Sequence, residues 1–143
     1  MKTLPLIFAL LFSITFTTAQ TSESKSKTNN IHVKINKLPS NKGHVILTLH
    51  NEETFMKSAG VKNIKAEIID GKIDINFEDI EPGTYAILVL HDANDNNKMD
   101  FENTGRPKEA YGTSNNSMSF GPPSFTDAKF EVNQEDIEME IIL

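Results

Sequence analysis

The sequence predicts an all-β protein: a seven-stranded antiparallel sandwich of immunoglobulin-like or transthyretin-like type with one long ordered loop. Three observations predict it. Apolar residues recur with a period of two through most of residues 31–143, the pattern of strands that bury one face. Asp70-Gly71 lies between two such runs and suits a tight type I′ turn, whose two central residues need positive φ. No stretch sustains a helical period, and Asn51 to Gly60 allows one helical turn at most.

Taken in order, Ile31, Val33 and Ile35 alternate with His32, Lys34 and Asn36. Val45, Leu47 and Leu49 alternate with His44, Thr48 and His50, and Ile46 stands on the outer set. Ile64, Ala66 and Ile68 lead into Asp70-Gly71, and Ile73, Ile75 and Phe77 lead out. After the turn at Glu81-Pro82-Gly83, Thr84 to His91 is apolar on both phases, so a central strand covered on both sides is expected. Ala128, Phe130 and Val132, then Ile137, Met139, Ile141 and Leu143, complete the set of seven. A domain of this size buries roughly two thirds of its unfolded surface and folds without staples.

Residues 1–19 precede this body with one charge, Lys2, an apolar run from Leu4 to Phe16, and small residues at Thr17 and Ala19. The run is shorter than the roughly 20 residues a spanning helix needs, and the pattern is that of a signal peptide cleaved before Gln20. Residues 20–30 hold no apolar side chain and are expected to form a flexible leader to the domain at 31–143. The mature chain is therefore expected to be exported, periplasmic or extracellular, with no membrane anchor. It is not expected to be a lipoprotein, because the sequence has no Cys to carry the lipid. The absence of Cys also excludes a disulfide framework and thiolate metal sites. A net charge of −6 argues against nucleic acid as a partner.

Residues 92–127 lack a clear period, yet they include Met99, Phe101, Tyr111, Met118, Phe120 and Phe125. So many large apolar groups mark an ordered cap rather than a solvated linker. The cap opens with Asp92, Asn94, Asn96 and Asp100 at even spacing, and with the Lys98 carbonyl these form an oxygen set suited to Ca²⁺. Two residues depart from the EF-hand pattern: Asn97 stands at the position of the turn glycine, and Asn103 at that of the bidentate Glu. A lone loop of this kind at 92–103 would bind at about 10⁻⁴ to 10⁻³ M. The alternative is that Asp and Asn cap a turn through their own backbone bonds.

His91 beside Asp92 suggests a general base, with Glu109 as a further weak catalytic candidate; no serine stands in a pattern that completes a triad. Arg106, the single Arg, can hold an anionic ligand or pair with Glu109 to pin the loop. Tyr111 and Asn115 are of the residue types that bind sugars. His32, His44 and His50 share no evident geometry for zinc.

The order Pro82-Gly83-Thr84-Tyr85-Ala86, His91-Asp92, Asn94, Asn96 and Lys98-Met99-Asp100 resembles the core of the DUF2141 family of secreted bacterial proteins. The likeness runs on through Gly105-Arg106-Pro107-Lys108-Glu109, Tyr111-Gly112, Ser114-Asn115-Asn116 and Gly121-Pro122-Pro123-Ser124-Phe125 to Asp127-Ala128. It covers about Ile31 to Leu143. The resemblance implies that 91–128 is the defining stretch, and it brings no established activity with it. The family's habitual Gly at the sixth loop position is Asn97 here.

Three functions stand against one another. The first is a non-enzymatic binding or docking module whose loop, organised by Ca²⁺, presents His91, Arg106, Glu109, Tyr111 and Asn115 to a small molecule, a glycan or an envelope protein. The second is a hydrolase or lyase using His91 with Asp92 or Glu109. The third is a purely structural envelope protein whose loop covers the sandwich edge.

Overall fold

A computed structural model describes residues 27–117 and 121–143 of the 143-residue chain. The expected signal peptide at 1–19 and the first part of the leader lie outside the described residues. The leader is not free throughout, however. Asn29 is buried and donates its amide to the Asn133 carbonyl at 2.8 Å, and the Asn30 N–H donates to Asp136 at 2.7 Å. These polar side chains belong to the first strand.

Eight strands are present among the described residues, one more than the period-two pattern predicts: β1 (Asn29–Ile35), β2 (His44–His50), β3 (Lys62–Glu67), β4 (Ile73–Ile80), β5 (Gly83–Asp92), β6 (Tyr111–Thr113), β7 (Phe130–Val132) and β8 (Ile137–Glu140). The additional strand is β6, inside the long connection. That connection also holds a 3₁₀ turn at Ser114–Asn116 and a four-residue helix, α1 (Phe125–Ala128). Ser124 caps α1 by accepting from the Asp127 N–H.

One sheet has the order β4-β1-β8. The other runs β3-β2-β5-β6, with β7 also pairing to β5. All pairs are antiparallel but one: β8 runs parallel to β1, with Ile31 opposite Ile137 and Lys34 opposite Glu140. The expectation of a wholly antiparallel sandwich is corrected here. The chain passes from β7 in one sheet to β8 in the other, so it has no hairpin to impose reversal.

Asp70 and Gly71 adopt φ of 52° and 71°, and Ile69 and Lys72 exchange backbone hydrogen bonds around them. The turn is as the sequence predicts, but its arms part: β3 joins one sheet and β4 the other. Asn41 accepts from the Gly71 N–H at 2.8 Å and steadies this corner.

Between the sheets lie Ile31, Val33, Ile35, Val45, Leu47, Leu49, Phe77, Ile87 and Val89, all essentially sealed from solvent. Within the connection, Ser114 links two elements: its hydroxyl accepts from the Ile87 N–H at 2.9 Å and donates to the Ala128 carbonyl. Asn116 donates to the Glu140 carbonyl and accepts from the Ile142 N–H, each at 2.8 Å. The connection is thereby bound to β5, α1 and the C-terminal segment.

Candidate functional site

The outer face of β5 carries Ala86, Leu88, Leu90 and Asp92, because successive side chains point to opposite sides of a sheet. Its two ends are closed. Ala86 lies under Phe55 and Ala128 with Phe125 packed against them, and the Phe55 and Phe125 rings meet edge to face at 5.7 Å. Asp92 is wholly buried beneath the turn that follows it. Leu88 and Leu90, between these ends, are only half-buried. Among the described residues, the cover expected on both sides of Thr84 to His91 is therefore missing over the middle of the strand.

This uncovered stretch is the floor of a groove of about 750 Å³. Ile46 and Thr48 of β2 and Tyr111 of β6 extend the floor, Met56 forms part of one wall, and Met99, Phe101 and Pro107 form part of another. Met56, Phe101 and Tyr111 are 59%, 56% and 40% exposed, which is unusual for side chains this apolar lying around one depression. His50 lies at the Phe55 end, with its ring 5.7 Å from Phe55 and its Nδ1 3.2 Å from the Thr54 hydroxyl. Burial pushes its pKa below the ordinary value of 6.5.

The Asp/Asn turn forms the other closed end and coils around itself. The Asp92 carboxylate accepts from the backbone N–H groups of Asn96 at 3.1 Å and Asn97 at 2.6 Å. Asn94 and Asn96 both donate their amides to one Asp100 oxygen, at 2.7 and 2.8 Å, while their own carbonyl oxygens accept from the N–H two residues on. The Asn94 bond first, and then that of Asn96, hold the Asp100 carboxyl below its usual range. Asp95 and Asn97 take positive φ, 59° and 61°, so Asn97 makes the left-handed bend where an EF-hand has Gly.

Three groups outside the turn hold it down. Glu109 accepts from the Ala93 N–H through one oxygen and from the Asp100 N–H through the other, at 3.1 and 3.2 Å. His44, buried at the start of β2, has Nε2 3.2 Å from Asp92 and Nδ1 in contact with Asp95. Lys65 of β3 donates to the Asn97 side chain at 3.1 Å.

The structure brings Asp92, Asn94, Asn96, Asp100 and Glu109 together, and Lys98 joins them through its N–H to Asn96. Among the described residues, no three His, Asp or Glu side chains are grouped so as to hold a metal by themselves. A cation here would rely on amide and backbone oxygens as well. His91 and Asp92 point to opposite faces of β5, and His91 Nε2 is engaged with the Lys42 carbonyl at 2.9 Å, so the expected acid–base dyad is not assembled. Glu109 is likewise engaged with the turn rather than with Arg106. Asn115 is a pin: its amide donates to the Asp127 and Lys129 carbonyls at 3.2 and 2.8 Å. Tyr111 alone of the expected ligand-binding residues lies on the groove floor.

Sequence reasoning overlooked the roles of His44, Leu88 and Leu90. The signal for the leucines was available, since Ile46 on the outer phase of β2 and a doubly apolar β5 place three aliphatic groups side by side on one outer face. His44 meets Asp95 across 51 residues of sequence, and no local pattern encodes that contact.

Residues 33–140 match the family described as an uncharacterized protein conserved in bacteria, DUF2141. The match covers most of the chain, and the protein belongs to that family. No curated protein and no solved structure matches it.

Proposed function

We propose that this member of the DUF2141 family is an exported, non-enzymatic binding module whose groove takes a small apolar ligand. In this reading the 92–109 segment, organised by Ca²⁺, sets one wall. The observation that carries the reading is the middle of β5's outer face, which no described residue covers, open between two ends that buried contacts close. A strand that needed only a structural cover would be covered along its length. The volume falls within the roughly 300–1,000 Å³ typical of small-molecule sites, and the mixture of aliphatic and aromatic walls with a few polar groups is of the same kind.

The donor set of the turn suits a hard cation in kind: Asp92 and Asp100 carboxylates, Asn94 and Asn96 amides, and the Lys98 carbonyl. Glu109 stands where it can supply the carboxylate that Asn103 does not. A bound cation would fix Met99 and Phe101 in the groove wall by fixing the turn that precedes them.

Two measurements on the full chain test this. A neutral fluorescent probe, N-phenyl-1-naphthylamine, is expected to bind saturably at one site, and Leu90→Asp to abolish that binding while the circular dichroism spectrum is retained. Binding that never saturates, or that ignores Leu90→Asp, overturns the groove. For the cation, the thermal midpoint is expected to rise from EDTA to millimolar Ca²⁺ in the wild type and not in Asp100→Ala. The gain is about 0.4 to 1.4 kcal/mol at 1 mM Ca²⁺ for a Kd of about 10⁻³ to 10⁻⁴ M. A wild-type midpoint indifferent to Ca²⁺ removes the cation and leaves a turn held by its own hydrogen bonds.

A further inference from the structure

We infer that the ligand of this groove is an uncharged aliphatic alcohol of the lipid type, its chain over Leu88, Leu90 and Tyr111 and its hydroxyl at the corner formed by Thr48, Asn63 and His50. The inference rests on the groove reading above and adds the chemistry of the ligand.

The sheet register sorts the floor into two parts. Ile46, Leu90 and Tyr111 stand side by side across β2, β5 and β6, and Leu88 stands opposite Thr48. Thr48 in turn stands opposite Asn63 of β3, and His50 follows it on the same face of β2. The floor is thus apolar toward β6 and polar at the Thr48–Asn63 corner.

Among the described residues, no Asp, Glu, Lys or Arg lines the groove, although these make up 24% of the chain. Lys65, opposite Ile46 in the register, is held on the Asn97 side chain at 3.1 Å, and Arg106 is exposed on its hairpin; neither is part of the lining. His50 does line the groove, but burial lowers its pKa and keeps the ring neutral at pH 7.5. An ionised head group would leave water here with no opposite charge to meet it, which is costly.

The corner is rigidly built, and its remaining hydrogen-bonding capacity is mixed. The turn before β3 passes so close that a Cβ on Gly60 would lie 2.4 Å from the Thr48 methyl and 3.3 Å from the His50 ring. Thr48 donates its hydroxyl proton to Asn63 Oδ1 at 2.7 Å, and Asn63 donates to the Ala59 carbonyl at 2.7 Å. Thr48 therefore keeps an acceptor lone pair and Asn63 a second N–H. His50 Nδ1 is engaged with Thr54, and its Nε2 has no hydrogen-bond partner among the described residues. An acceptor beside a donor matches a hydroxyl, which both gives and takes a hydrogen bond. A carboxylate only accepts and a quaternary ammonium does neither.

The test is displacement of N-phenyl-1-naphthylamine from the full chain at pH 7.5 by four ten-carbon compounds below their solubility and micellar limits: 1-decanol, decyl methyl ether, decanoate and decyltrimethylammonium. Decanol is expected to bind most tightly. The ether, which cannot donate, should be about threefold to tenfold weaker, the margin of one neutral hydrogen bond. The two ions should be at least about tenfold weaker than decanol. Thr48→Val should bring decanol to the level of the ether and leave the ether unchanged, with the circular dichroism spectrum retained. If decanol and the ether bind equally, or if Thr48→Val affects both alike or neither, the inference is overturned and the apolar groove stands. Tightest binding by either ion, or a probe that binds saturably and is displaced by none of the four, also overturns the inference alone. A probe that does not bind saturably overturns the groove and the inference together.

Discussion

The two sheets turn very different outer faces to solvent. On β4-β1-β8, His32 pairs with Asp74, Lys34 with Glu138, and Asn36 donates to Glu140 at 2.9 Å, so the face is a set of polar rungs. On the other sheet the central strands β2 and β5 carry Ile46, Thr48, Leu88 and Leu90 at the corresponding positions, with polar His44 and Asp92 buried at one end and His50 at the other. A sandwich needs only its inner faces apolar, and the first sheet shows how its outer face looks when nothing else is asked of it. The second sheet carries aliphatic side chains that the core does not require, and the chain supplies partial covers at both ends. The difference separates what folds the protein from what it presents.

The sharpest way to break the comparison is to remove a cover. Phe55→Ala opens the end of the groove where Ala86 is sealed and deletes a nearly buried ring. A loss of about 3 kcal/mol is expected in denaturant unfolding, at the lower end of the range for large-to-small aromatic changes. A cost near zero would mean that this end is not closed in solution.

A smaller effect sharpens the comparison through pH. His50 under Phe55 has a pKa depressed by burial, so the folded state favours the neutral ring. The unfolded chain then binds the proton more readily, and stability is lost as pH falls through 6.5 and toward the lower folded value. Thermal melts between pH 7.5 and 5 should show this decline, and His50→Gln should flatten it. On the polar sheet, the Lys34–Glu138 contact raises the Lys34 pKa and lowers that of Glu138. Glu138 is exposed and Lys34 partly so, and screening by solvent leaves little for the pair to contribute. The least effect is accordingly expected from Lys34→Gln with Glu138→Gln, an unchanged thermal midpoint; a clear drop would show that these rungs do more than keep the face wet.

Much of the fold was legible. Ile31, Val33, Ile35, Val45, Leu47, Leu49, Ile73 and Phe77 all fall inside as their alternation predicts, because period two reports directly which face is buried. Asp70-Gly71 was legible for a different reason, since few residue pairs tolerate two positive φ angles in succession. The parting of β3 from β4 was not, because a turn states its own geometry and not the sheet that each arm joins. Tyr111–Thr113 is too short to show a period at all. At the site, even spacing identified a coiled Asp/Asn turn. Which groups hold that turn to the sheet depended on Glu109 and His44, placed by the fold and not by neighbours in sequence.

The parallel pairing of β1 with β8 bears on the order in which the molecule forms. The first strand of the domain finds one of its two neighbours in the last, with contacts such as Lys34–Glu138 joining residues 104 apart. Its sheet cannot close until the whole domain is present, whereas β2, β3 and β5 can assemble from residues 44–92 alone. Such long-range closure is entropically costly in the transition state and slows folding. The sheet bearing the groove is therefore expected to gain hydrogen-exchange protection early in refolding, with the polar sheet following as the C-terminal strand docks.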